Sequence, residues 1–129
     1  MLNRHEIREK IVFALYQHLL LHRDLYSCFE DNFEEEGVDD FTAAIRDDLL
    51  INKENYISEI SGWLNRWSFD RLNLVEQAIL LATASEITQG LNDKAVVIDE
   101  AVILAKEYCD EEVYKYINGV LDHLCSRSL

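Results

Sequence analysis

His18 and His22 stand four residues apart, the spacing at which two imidazoles on one helix can share a metal ion. The residues between them are all leucine, so no HExxH acid is present. His18 is also seven residues from Ile11 and shares its side of a helix, where a hydrogen-bonded histidine fits equally well. His5 and His123 are isolated. Cys28, Cys109 and Cys125 form an odd, scattered set without a CxxC and read as reduced thiols with no activating neighbour in sequence. With 25 Asp and Glu residues, carboxylate pairs are too common for any one to mark an acid–base dyad. GxGxxG, Walker-type and GxSxG patterns are absent, and four glycines offer little material for a phosphate cradle. The expectation is a protein that is not an enzyme and has no cofactor. A metal-dependent hydrolase built on His18 and His22 is the enzymatic alternative.

Binding chemistry has more to work with. Residues 1–23 hold Arg4, Arg8, Lys10 and Arg23 against Glu6 and Glu9. Arg4 and Arg8 are one helical turn apart and can face one run of phosphates, or simply add surface charge. Near the other end, Glu112 and Tyr116 are also one turn apart. Tyr116 falls roughly 60° from Val113 around the helix, at the edge of an apolar stripe. Beside Lys115 it can stack a base while the ammonium meets phosphate, or it can close the rim of the core. Residues 24–45 contain eight Asp and Glu and no Lys or Arg. That run serves solubility, or offers a landing strip to a basic macromolecule. The whole chain has a formal charge of −13, which excludes a freestanding nucleic-acid binder that works through bulk positive charge.

These side chains need a scaffold, and the apolar pattern supplies helices almost throughout. The chain has 129 residues, 49% of them hydrophobic, which suits one domain with a real core. It has no proline. No apolar run approaches the ~20 residues that span a bilayer, and the charged N-terminus is no signal peptide, so the cytoplasm is the expected compartment. Asn3 and Glu6 make a capping box for a helix over about residues 3–23. Ile7, Ile11, Ala14 and Leu15 form one apolar stripe of that helix; Phe13, Tyr16 and Leu20 form a second. A helix apolar on two sides is central to the core or shows one side to a partner. Leu25, Tyr26, Phe29 and Phe33 predict a short helix before Gly37. Asp39 or Asp40 caps a helix through Phe41, Ile45 and Leu49, and a separate one follows through Tyr56, Ile57, Ile60 and Leu64. Trp63 and Trp67 read as core anchors. Asn73 and Glu76 repeat the capping pattern ahead of an almost wholly apolar helix over residues 74–88, the central buried one. Val97, Ala101, Leu104 and Tyr108 make one face of the next. Val113, Ile117, Val120 and Leu124 make the inward stripe of the last, which Asp110 caps. The fold class is all-α.

The ordered blocks 71–80 (RLNLVEQAIL), Glu86, 97–102 (VIDEAV), 104–106 (LAK) and 116–122 (YINGVLD) resemble the NusB family of bacterial transcription antitermination factors. Arg8-Glu9 and Ala14-Leu15-Tyr16 sit where that family has its Arg-Glu and Leu-Tyr. The resemblance implies a single compact domain of two small helical subdomains, about residues 1–67 and about 70–127. It implies a heterodimer with the ribosomal protein NusE that binds boxA in nascent ribosomal RNA transcripts and helps RNA polymerase resist termination. On matched positions, Arg4, Arg8, Glu112, Lys115 and Tyr116 lie near RNA, and Tyr16 and Glu76 face NusE. The Phe13, Tyr16, Leu20 stripe then serves as apolar anchors for that partner. Asn118-Gly119 reads as structural, a mid-helix glycine tolerated where another backbone packs close. His5 and Glu6 stand between the arginines where the family is often arginine-rich, and Asp99 stands where it often has Asn. The first departure points to weak RNA binding without NusE, or to a homodimeric or scaffold protein that has lost it.

Overall fold

The computed structural model describes residues 1–64 and 68–127, apart from the side chains of 114–116 and 127. The described residues form six α-helices: α1 (Arg4–Leu21), α2 (Leu25–Asn32), α3 (Asp40–Ser61), α4 (Leu74–Gln89), α5 (Lys94–Tyr108) and α6 (Glu111–Arg127). A 3-10 turn at Phe69–Arg71 leads into α4, and no strand occurs among the described residues. None of the helices is long and apolar enough to cross a membrane.

Local chemistry sets the helix ends. The Asn3 side chain accepts from the Glu6 amide at 2.9 Å, and the Glu6 carboxylate accepts from the Asn3 amide at 3.1 Å, so both halves of the capping box form. Asp24, Asp39 and Asn73 accept from the third amide of α2, α3 and α4. The bond from Ser27 holds the Asp24 carboxyl below its ordinary range. Gly90 closes α4 in the left-handed region at φ 65°, where a glycine meets no Cβ penalty.

α4 is the axis. Eleven of its residues are buried, and it packs against α1, α3, α5 and α6. Ala78, Ala84 and Ser85 keep its surface low, so neighbours approach on several sides. Ile11, Ala14 and Leu15 of α1 meet it from one side; Ile117, Val120 and Leu124 of α6 close another. The α3–α4 junction carries a polar clasp as well. Asp48 accepts from Tyr56 Oη at 2.6 Å and Ser85 Oγ at 2.7 Å on one oxygen, and from Asn52 Nδ2 at 2.8 Å on the other.

Two expectations change, the split of residues 41–64 into two helices and the close packing at Gly119. The two helices expected across residues 41–64 are one, α3, of 22 residues. No proline or glycine interrupts it; only the apolar stripe lapses, because Leu50 and Ile51 point to solvent. Trp63 packs partly buried against the core and stacks on the His123 ring at 5.4 Å, while Trp67 lies outside the described residues. Gly119 faces open space, so no close backbone accounts for it.

Candidate protein and nucleic-acid interface

Arg4 opens α1 and lies exposed, its guanidinium 3.9 Å from the centre of the Phe41 ring. That cation–π seat orients the group without neutralising it. Arg8, one turn on, goes the other way. It is 8% exposed and forks onto Glu86 of α4, Nε to Oε1 at 3.0 Å and a terminal nitrogen to Oε2 at 2.6 Å. Asn92 donates to the same Glu86 carboxylate at 2.9 Å. The expectation that Arg4 and Arg8 together face one phosphate run is therefore corrected. A buried carboxylate needs a charged partner, and Glu86 takes Arg8 for that purpose.

His5 is drawn into a carboxylate lattice between α1 and α5. Nδ1 is 3.2 Å from Glu100; Nε2 is 3.3 Å from Glu107 and 3.8 Å from Glu9. The Glu100 hydrogen bond, then the charges of Glu107 and Glu9, raise its pKa against the opposing effect of burial. Tyr108 donates to Glu9 at 2.6 Å, which pushes its phenol up to about 12. Sequence reasoning missed Glu9, Glu100, Glu107 and Tyr108 as a group. The only local signal was His5 and Glu9 at i, i+4.

The C-terminal half of α1 is different. Phe13 is 40% exposed and Leu20 47%, with Leu21 beside them also exposed and Tyr16 half-buried. Phe13 meets Tyr108 edge-on, ring centres 5.5 Å apart. Tyr16 packs against the core without vanishing into it, so the second stripe of α1 is an open apolar face. His18, on the same helix, uses both ring nitrogens: Nδ1 meets the Arg23 carbonyl at 2.6 Å and Nε2 meets Lys53 Nζ at 2.8 Å. His22 caps the helix in the left-handed region at φ 56°. The pair thus finishes a helix end, and His18 has no nitrogen spare for a metal.

Glu76, expected to face a partner, is only 4% exposed in the first turn of α4. This chain folds it inward, so it is corrected from a surface contact to an interior one. Glu112 is exposed at the start of α6, as the reading near RNA requires; the side chains of Lys115 and Tyr116 lie outside the described residues. The acidic run is partly neutralised at home, Glu30 by Arg46, Asp31 by Arg23 and Glu36 by Lys10. Cys28, Cys109 and Cys125 are free thiols, and burial pushes each up, Cys109 to about 11.

Comparison with known proteins agrees with this architecture. The NusB family model matches residues 5–126. The transcription antitermination protein NusB of Sulfurovum sp. (strain NBC37-1) is 36% identical over 126 residues, covering 95% of this chain and 97% of the relative. Among solved structures, T. maritima NusB superposes with a TM-score of 0.88 at 27% identity, over 97% of this chain and 92% of that one. A crystal structure of antitermination factors NusB and NusE in complex with dsRNA matches with a TM-score of 0.82 at 25% identity, over 96% of both chains. With the family model covering nearly the whole length and the helices in the same arrangement, this chain belongs to the NusB family.

Proposed function

We infer that this protein is a transcription antitermination factor that binds boxA-type RNA of ribosomal transcripts as a heterodimer with NusE, within an antitermination complex on RNA polymerase. The observation that carries the reading is the open Phe13–Tyr16–Leu20 face of α1, an apolar strip on a molecule of charge −13. Ribosomal proteins are generally basic, so opposite fields speed and orient docking while the apolar strip supplies the anchors. The relatives named antitermination protein, and the neighbour that holds NusB with NusE and dsRNA, support the same assignment. In this reading the protein is cytoplasmic and not an enzyme. It acts as a platform of two small subdomains, about residues 1–67 and about 70–127.

RNA contact falls to Arg4, Glu112, Lys115 and Tyr116, with Arg8 acting from within by holding α1 to Glu86. So few free cations make RNA binding weak in the absence of NusE. A salt titration of binding to boxA-like RNA, run with and without NusE, tests this. Tight, salt-dependent binding only in the presence of NusE is expected. No binding in either case favours the second reading, a homodimeric or scaffold protein of this family, which the inward turn of Arg8 also supports.

A further inference from the structure

The seam between the first turns of α1 and the end of α5 gathers one imidazole and three carboxylates. One ligand atom from each of His5, Glu9 and Glu107 lies within 4.8 Å of the other two. His5 and Glu9 are four residues apart on one helix, so α1 supplies two of the groups and α5 the third. Each is partly exposed, which leaves an ion a route in and room for water.

The surroundings fix the direction of these groups. Glu100 Oε2 lies 3.2 Å from His5 Nδ1 and 3.9 Å from a terminal nitrogen of Arg8. A carboxylate so placed accepts the Nδ1 proton, so the neutral imidazole turns its Nε2 lone pair to the two glutamate oxygens and the imidazolium turns a proton there. With the imidazole neutral, three electron-pair donors face one point and repel unless a proton returns to Nε2 or a metal ion lies among them. A metal at roughly 2.0–2.2 Å from each ligand sets neighbouring ligand atoms roughly 3–3.5 Å apart. The 3.3 Å from Nε2 to Glu107 meets that, and the 3.8 Å to Glu9 needs only a small side-chain adjustment. Glu9 is itself oriented, since its second oxygen holds the Tyr108 hydroxyl at 2.6 Å, and Tyr108 is braced by Phe13. An imidazole that gives its remote N–H to a carboxylate, beside a hydrogen-bonded carboxylate ligand, is the outer arrangement that tunes metal sites.

We propose that His5, Glu9 and Glu107 bind one divalent transition-metal ion, with Zn²⁺ the best match, and that Glu100 and Tyr108 orient the ligands. One nitrogen and two oxygens suit Zn²⁺ better than Mg²⁺ or Ca²⁺, which take oxygen throughout. The ion relieves the repulsion among the carboxylates and clips the start of α1 to the end of α5. It competes with a proton for Nε2, so affinity falls about tenfold per pH unit once the imidazole is mostly protonated.

The test is calorimetric titration of the untagged full chain with Zn²⁺ alone, paired with visible absorption on adding Co²⁺. One ion per chain is expected, with a Co²⁺ spectrum from nitrogen and oxygen ligands only. His5→Gln and Glu107→Gln should each weaken binding by more than about tenfold, and Glu100→Gln by about tenfold. These side chains are partly exposed, and far-ultraviolet circular dichroism shows whether each variant keeps its helices. Equal affinity in the parent and His5→Gln overturns the proposal. So does a thiolate charge-transfer band, which moves the ion to Cys109, and so does a lack of saturable binding at about 1 mM Zn²⁺, which leaves the cluster to protons.

Discussion

The two halves of α1 treat their side chains in opposite ways. In the first half most of the basic residues are committed, Arg8 to Glu86, His5 to three glutamates and Lys10 to Glu36, while Arg4 stays exposed. In the second half Ala14 and Leu15 are buried, but a second apolar face is left uncommitted, with Phe13 40% and Leu20 47% exposed. One helix thus buries an arginine while it shows an apolar face to solvent. Charge near the N-terminus is therefore poor evidence of a nucleic-acid contact here, because the fold has used much of it. Exposed apolar surface is better evidence of a partner, because none of the described residues covers it.

The comparison breaks most visibly if Arg8 is removed. Arg8→Ala leaves the buried Glu86 carboxylate without its cation and with the neutral Asn92 amide as a donor, and should cost about 3–5 kcal/mol in urea unfolding. A loss below about 1 kcal/mol would mean that Arg8 is free for phosphate after all. In the second half, Tyr16→Asp should weaken NusE binding by tenfold or more, about 1.4 kcal/mol, with a smaller effect on RNA contact. Unchanged affinity in a pull-down or calorimetric assay would close the apolar face as a docking surface.

Smaller effects sharpen the contrast. The raised pKa of His5 means that the metal-free folded chain holds that proton more tightly than the unfolded chain. The resulting stability is fully present below the ordinary value of 6.5 and is lost as pH rises through the raised folded value. With a chelator present, His5→Gln should flatten this part of the stability–pH curve; an identical curve would detach His5 from Glu100. Least of all, Arg4→Ala should lower the salt slope of RNA binding by about one unit and barely touch stability. A fall of about two units would imply that further cations follow Arg4 onto the RNA.

Local chemistry was readable from the residues and long-range pairing was not. The Asn3–Glu6 box, the Asn73 cap and the buried axis at α4 follow from neighbours a few positions apart. The continuity of α3 was hidden because Leu50 and Ile51 face outward and interrupt the stripe without interrupting the backbone. The second stripe of α1 pointed to a partner or to the core, and only burial chooses between them. Arg8 could not be placed, since its fate depends on Glu86, 78 residues away. The same holds for His5 and Glu100, 95 residues apart. Glu76 faces a partner only by the family resemblance, and a matched position does not say how deeply this chain buries it in the first turn of α4.

The clasp at Asp48 has a practical consequence. Its donors, two hydroxyls and an amide, carry no charge, so dissolved counter-ions have little to displace there. The girder formed by α3 and α4 should stand in brine that strips phosphates from outlying arginines. A protein built this way lets ionic strength act as a clean dial on its outer contacts, leaving the frame beneath them untouched.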